Sequence, residues 1–352
     1  MKILVTGNMG YVGPLVLRRL RESHPQATLI GYDMGYFAHC LTGVSRLPES
    51  LADQQHFGDI RHVPEQILQG IDAIVHLCAI SNDPMGATFE KVTLDINHRA
   101  SINLAEKAKR AGVKKFVFAS SCSVYGFAEG GPRREEDALN PLTAYAKSKV
   151  QTEQDLASLA SEAFTATCLR FATACGMSDR LRLDLVLNDF VAGALVSKHI
   201  NILSDGTPWR PLIHVKDMAR AIDWAVQRDR RDGGSFLTIN VGSDAWNYQV
   251  KDLADAVANL VPNVEISINK DAQPDKRSYR VNFDKFFKLA QGFLPMVDLQ
   301  SAVKDLRDGL MAMQFRDQEF RTGELIRLVT LKRLRESGQL TDDFVWKERS
   351  NA

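Results

Sequence analysis

The feature that most constrains this chain is the rhythm of its first half, where short apolar runs alternate with helical patterns. Lys2–Val5 leads straight into Thr6-Gly7-Asn8-Met9-Gly10-Tyr11-Val12-Gly13, after which Val12, Leu15, Val16 and Leu20 fall at helical spacing within Tyr11–Glu22. Thr28–Tyr32, Gln55–Gly58, Ala73–Leu77, Lys115–Ala119 and Phe164–Arg170 are also strand-sized, and Arg99–Arg110 carries Ile102, Leu104, Ala105 and Ala108 at helical spacing. Strands that alternate with helices predict βαβ units, and so an α/β fold with a doubly wound parallel sheet. Leu237–Val241 reads as one further strand, reached after a long excursion. The predicted organisation is a first domain over residues 1–171, completed by the strand near 237–241. A smaller, discontinuous α/β domain follows over 172–236 and 242–316, with a helical extension over 317–352.

Composition narrows the function classes. The 352 residues suit one large or two closely joined domains, and 45% hydrophobic with 25% charged residues excludes a disordered chain. Lysine and arginine number 44 against 43 acidic residues, so a charge of +1 leaves no basic footprint for nucleic acid. No apolar run approaches the ~20 residues of a membrane span, and the N-terminal run is too short for a signal peptide. Cys40, Cys78, Cys122, Cys168 and Cys175 are odd in number and scattered, which predicts neither a disulfide framework nor a metal site. The expected home is the cytoplasm.

The glycine turn between the first strand and first helix predicts a phosphate site. Gly7, Gly10 and Gly13 permit a tight turn and close backbone approach, and the helix N-terminus at Tyr11 and Val12 then offers free N–H groups to a pyrophosphate. The spacing is G-x-x-G-x-x-G. Asp33 ends the second strand 20 residues past Gly13, where a carboxylate accepts hydrogen bonds from an adenosine ribose. A carboxylate repels a 2′-phosphate and no arginine immediately follows Asp33, so the predicted cofactor is NAD rather than NADP.

Tyr145 and Lys149 stand four residues apart at the start of a predicted helix and share a face. A phenol titrates near pH ~10, so acting as a base near pH 7 needs a shift of about 3 units. A neighbouring ammonium and the positive end of a helix both push that way.

Glycine turn, Asp33 and the tyrosine–lysine pair together resemble the extended short-chain dehydrogenase/reductase superfamily, and within it the nucleotide-sugar epimerases and dehydratases. The resemblance covers roughly residues 1–315 and implies a Rossmann domain holding NAD. It makes Asp59 and Ile60, in Gly58-Asp59-Ile60, the strand-end segment at the adenine. Leu77 and Ala79, in His76-Leu77-Cys78-Ala79, match the H-x-A-A run beside the cofactor, and Asn97 matches the asparagine of N-V-x-G-T. Ser120-Ser121-Cys122-Ser123-Val124-Tyr125-Gly126 resembles S-S-x-x-V-Y-G, which makes Ser121 the catalytic hydroxyl beside Tyr145 and Lys149. Arg210, in Arg210-Pro211-Leu212-Ile213-His214-Val215-Lys216-Asp217, matches the arginine that holds a substrate diphosphate, and Arg277 matches a later arginine segment.

The departures are informative. Cys122 and Ser123 stand where 4,6-dehydratases carry Asp-Glu, and Thr173 stands where many epimerases carry asparagine at the substrate. The resemblance thus implies an NAD-dependent epimerase acting on a nucleotide sugar through a transient keto-sugar. A one-way reductase or dehydrogenase on the same atoms is the alternative, and a non-catalytic NAD-binding protein is a third. It also implies a homodimer through helices at about Phe89–Ala111 and Ala144–Leu159, the second bringing Val150, Leu156 and Leu159. Beyond the resemblance, Leu325, Leu328 and Val329 in Glu324–Arg335 share a face that Leu331 and Leu334 extend. Arg327, Lys332, Arg333 and Arg335 are left as the solvated side. This helix is expected to pack on the body of the protein, the alternative being a lid over the substrate.

Overall fold

The structure is a computed structural model and describes residues 1–81, 83–128, 130–272 and 278–347. Strands β1 (Lys2–Thr6), β2 (Thr28–Asp33), β3 (Gln54–Phe57), β4 (Ala73–His76), β5 (Lys115–Ser121) and β6 (Thr165–Phe171) coincide with the six runs of the first half. Between them run α1 (Gly13–Ser23), then α2 (Asp83–Thr88), α3 (Glu90–Leu94) and α4 (Ala100–Arg110), then α5 (Ala144–Leu159). Beyond β6 follow β7 (Thr173–Cys175), α6 (Val186–Val196), β8 (His199–Ile202), β9 (Trp209–His214), α7 (Val215–Gln227) and β10 (Phe236–Val241). The chain closes with β11 (Asn247–Gln249), α8 (Val250–Ala258), β12 (Glu265–Ile268), α9 (Asp284–Leu289), α10 (Leu299–Ala312) and α11 (Arg327–Glu336).

The late strand β10 joins β6, giving a seven-stranded sheet in the order β10-β6-β5-β4-β1-β2-β3, with every neighbouring pair parallel. A parallel sheet is covered on both faces, so its strands are apolar on both sides. In β1, Ile3 and Val5 enter one core and Leu4 the other. Strand order reverses at β1, with β2 on one side and β4 on the other. The connections leaving β1 and β4 therefore part to opposite faces and open a crevice beyond their C-terminal ends.

A smaller lobe holds β11-β9-β7 and the parallel pair β12-β8. Helix α7, which the sequence places in this second domain, instead lies on the main sheet beside α1. Its fully buried Asp223 takes the guanidinium of Arg19 at 2.7 Å and the imidazole of His24 at 2.9 Å. The reason is its apolar face of Met218, Ala219, Ile222 and Val226, which serves the crossover from β6 to β10.

The helical pattern at Phe89–Ala111 is interrupted by a π turn over Asp95–Arg99. Asn97 causes the closest local tie: its side-chain amide accepts from Ile80 N at 2.7 Å and donates to Ile80 O at 2.9 Å, clamping the segment after β4. Of the three apolar residues expected on an outward face of α5, Leu156 is fully buried in the chain's own core, whereas Lys147, Gln151, Gln154 and Asp155 face outward.

The extension after α10 is only partly helical. Its buried face is Arg327, Thr330 and Leu331, not the stripe through Leu328 and Val329, so Arg327 is a wall residue and not a solvated one. Phe344 packs edge-on against Phe89 at 4.8 Å between ring centres, and Trp346 donates from Nε1 to Met34 O at 2.7 Å. The extension thus reaches back across the segment after β2 and across α2 and α3. No helix among the described residues is long and apolar enough to cross a membrane.

Candidate active site

A cavity of about 1040 Å³ opens at the C-terminal ends of β1 and β4 and continues under the second lobe. Gly7, Gly10, Tyr11, Val12, Asp33, Asp59, Ile60, Leu77, Ala79, Ser121, Tyr145, Lys149, Thr173 and Arg210, spread over the sequence, all lie in its wall. Gly13 and Asn97 do not. Arg277 lies outside the described residues.

The glycine turn is shaped for a phosphate group. Gly7 has φ +75°, and a Cβ there would stand 2.5 Å from Cys78 N, so the turn packs directly on the strand end of β4. At Gly13 a Cβ would stand 2.0 Å from Asn8 O, which makes this glycine a packing requirement of α1. Gly10 is in the cavity wall with only Gly7 O near its missing Cβ, at 3.2 Å. The cradle and the helix N-terminus at Val12 therefore fit a dinucleotide pyrophosphate. Asp33 is fixed by Met9 N at 3.0 Å and Gly35 N at 2.8 Å, with its carboxylate at the wall, and burial raises its pKa. The charge of Arg180 reaches Asp33, but Arg180 is paired with Glu49 at 3.1 Å. A carboxylate at this place in the wall fits the ribose hydroxyls of NAD.

Ser121 ends β5, and Tyr145 and Lys149 stand on the first turns of α5. That helix starts at Thr143, whose hydroxyl accepts from Ala146 N at 3.1 Å and donates to Asp83 Oδ1 at 2.6 Å. Ser121 and Tyr145 lie together in the cavity wall, and the Ser121 hydroxyl is one of the groups that lower the Tyr145 pKa. Lys149 is 3% exposed, donates to Ala119 O at 2.7 Å, and lies 4.5 Å over the Phe118 ring and 5.5 Å over that of Tyr145. Burial brings the Lys149 pKa down to about 8. Burial and the Asp83 charge push Tyr145 up to about 12, while Ser121 and the Arg182 guanidinium pull it down. The expectation that the neighbouring ammonium and the helix end bring the phenol down is thus not met in the protein by itself. Desolvation of the phenolate outweighs them, and the ammonium is directed at the Ala119 carbonyl.

Cys122 is turned into the core, its thiol donating to Arg170 O at 3.1 Å, and Ser123 is in the wall with its hydroxyl oxygen buried and unpartnered. Neither position offers a carboxyl to the cavity. His76 also stays out of it: its ring is held by Thr6 at 2.6 Å and Ser101 at 2.8 Å, and burial lowers its pKa to about 3. Sequence reasoning missed Asp83, Arg182, Tyr36, Ile326, Arg327 and Leu331, all of which line the cavity. No spacing signals them, because they arrive from α2, the loop before α6, the segment after β2 and the extension. Among the described residues no His, Cys, Asp or Glu cluster could hold a metal.

The sequence profile of the NAD dependent epimerase/dehydratase family matches residues 3–242. A UDP-glucose 4-epimerase of Azospirillum brasilense is 28% identical over 255 residues, covering 67% of this chain and 71% of the relative. A dTDP-glucose 4,6-dehydratase of Streptomyces griseus is 27% identical over 306 residues, covering 84% and 90%. In fold, the chain resembles the UDP-glucuronic acid 4-epimerase of Bacillus cereus, solved with UDP-glucuronic acid and NAD, with a TM-score of 0.76 and 22% identity over 89% of this chain and all of that one.

Proposed function

The chain belongs to the NAD-dependent epimerase/dehydratase family, and within it we propose that this enzyme is a nucleotide-sugar epimerase working through a transient keto-sugar. The observation that carries the reading is the gathering of Ser121, Tyr145 and Lys149 in the wall of one cavity, with the Lys149 ammonium 5.5 Å from the Tyr145 ring centre and no carboxyl at positions 122 and 123. Tyr145 takes the proton of a sugar hydroxyl, and Ser121 holds the same oxygen by a hydrogen bond as charge develops on it. Lys149, 5.5 Å from the Tyr145 ring centre, would hold the ribose of the nicotinamide half of the cofactor. When bound, NAD supplies a reversible hydride acceptor. The ketone that results turns over in the cavity, and Tyr145 returns the proton to its oxygen. Arg210, at the cavity wall on β9, takes the substrate diphosphate with its planar guanidinium, and Thr173 lines the same half. In solution the enzyme is a homodimer that pairs through α4 and α5.

The test is incubation with UDP-glucose, UDP-glucuronic acid and dTDP-glucose, followed by chromatography and mass spectrometry. Interconversion of stereoisomers at constant mass, without build-up of reduced nicotinamide, is the expected result. Stoichiometric reduction of NAD would replace this reading with the dehydrogenase. Loss of water or carbon dioxide from the sugar would replace it with elimination or decarboxylation.

A further inference from the structure

Three arginines are buried together where the extension meets the cavity: Arg180 at 1% exposure, Arg182 at 6% and Arg327 at 1%. Two have counter-charges, Arg180 with Glu49 at 3.1 Å and Arg182 with Asp184 at 2.9 Å. Arg327 differs. Its Nη2 donates to Arg180 O at 2.8 Å and its guanidinium lies 4.6 Å over the Phe37 ring. Among the described residues no carboxylate pairs with it, and Nη1 is buried without a hydrogen-bond partner. A buried guanidinium in that condition is strongly disfavoured unless something anionic completes it. Its lowered pKa, to about 10, has the same cause, with Arg182 and Arg180 adding repulsion.

The position says which anion. Arg327 and Arg182 are both in the cavity wall. Arg182 donates from Nη1 to Ser81 O at 3.2 Å and to Ser81 Oγ at 3.0 Å, in the cavity wall just after β4, and Arg327 holds the chain two residues before Arg182 through Arg180 O. The pair therefore flanks the path a dinucleotide follows from Gly10–Val12 to Lys149, where its only formal negative charges are those of the pyrophosphate.

We propose that Arg327 and Arg182 form a cationic wall that takes up the pyrophosphate charge of the bound dinucleotide, which makes the C-terminal extension a working part of the cofactor site. The helix N-terminus supplies N–H groups from one segment and the two guanidinium groups supply charge from two others. The extension is seated by Phe344 against Phe89 and by Trp346 on the Met34 carbonyl, so its seating and cofactor retention are linked.

The test is calorimetric titration of the full chain with NAD, ADP, adenosine and UDP. Arg327→Met should weaken NAD and ADP by roughly 10- to 100-fold, the worth of a charge-assisted contact, and leave adenosine and UDP unchanged. Unchanged NAD affinity overturns the proposal. So does an equal loss for adenosine, which would mean a purely structural role, or a loss confined to UDP, which would assign Arg327 to the sugar nucleotide. Should the methionine variant be insoluble, Arg327→Lys carries the test, since losing the planar fork should still weaken ADP relative to adenosine, and an unchanged ratio overturns the idea. Trp346→Ala, at a partly exposed residue, should speed release of bound NAD in a chase with unlabelled NAD. An unchanged release rate defeats the link to seating.

Discussion

Lys149 is 3% exposed with its ammonium on the Ala119 carbonyl, and burial has moved its pKa from 10.5 to about 8. The folded chain therefore holds its lysine charge less willingly than the unfolded chain, and the destabilisation is on the order of 3 kcal/mol. It is complete below about pH 8 and fades as pH rises toward the unfolded value. Lys149→Met should accordingly melt at a higher temperature than the wild type near neutral pH while losing turnover, and the melting difference should shrink as the buffer is taken above pH 8. A methionine variant that melts lower at neutral pH would contradict the burial argument. Tyr145 is pushed the other way, up to about 12, so the rate should climb with pH through the neutral range as phenolate forms. Tyr145→Phe should lower kcat by roughly 10²–10⁴-fold or more with NAD affinity little changed. Asp33, held by two backbone N–H groups, was legible from its place at the end of the second strand. Titration with both cofactors should show NAD binding more tightly than NADP, and Asp33→Ala should narrow the gap, chiefly by weakening NAD.

Three elements converge near Ser121, Tyr145 and Lys149 in a network that no spacing rule announces. Glu153 on α5 accepts from Ser120 of β5 at 2.5 Å and pairs with Arg170 of β6 at 2.7 Å, and Arg170 donates to the Tyr125 hydroxyl at 3.0 Å. Glu153 is one turn beyond Lys149, so the same ion pair that joins helix to sheet fixes the helical face carrying Tyr145 and Lys149. Glu153→Gln leaves a buried guanidinium underpaired and should cost about 3–5 kcal/mol in denaturant unfolding, whereas an exposed pair such as Arg134–Asp284 should contribute almost nothing. Elements with a strong period were readable: the six early strands and α1 follow from apolar runs and helical spacing, whereas the span of α5 came from the family resemblance. The π turn was not, because a helix period contains no sign that Asn97 will clamp the backbone of Ile80. Nor was the buried face of α11, where the sequence reading put Arg327 in solvent on the ground that it is charged.

At the scale of the molecule, the cavity is assembled from both lobes and the extension, so its chemistry belongs to no single segment. The proposed homodimer is the assembly-level expectation, and light scattering at micromolar concentration checks it. A monomer would agree with the polar outward face of α5 and remove that contact from consideration. The sequence by itself determined the doubly wound sheet and the glycine turn, and it singled out Asp33 and the Tyr145–Lys149 pair, which the fold places in one cavity wall. Each of these is written locally, in a turn, a strand end or residues one helical turn apart, where steric and periodic constraints act over a few positions. Tertiary structure alone decided that Asn97 and Gly13 stay out of the cavity wall, that α7 belongs to the main sheet, and that Arg182 and Arg327 reach that wall. Those outcomes depend on which distant surfaces are buried against each other, and a charge such as that of Arg327 acquires its meaning only once water has been excluded around it.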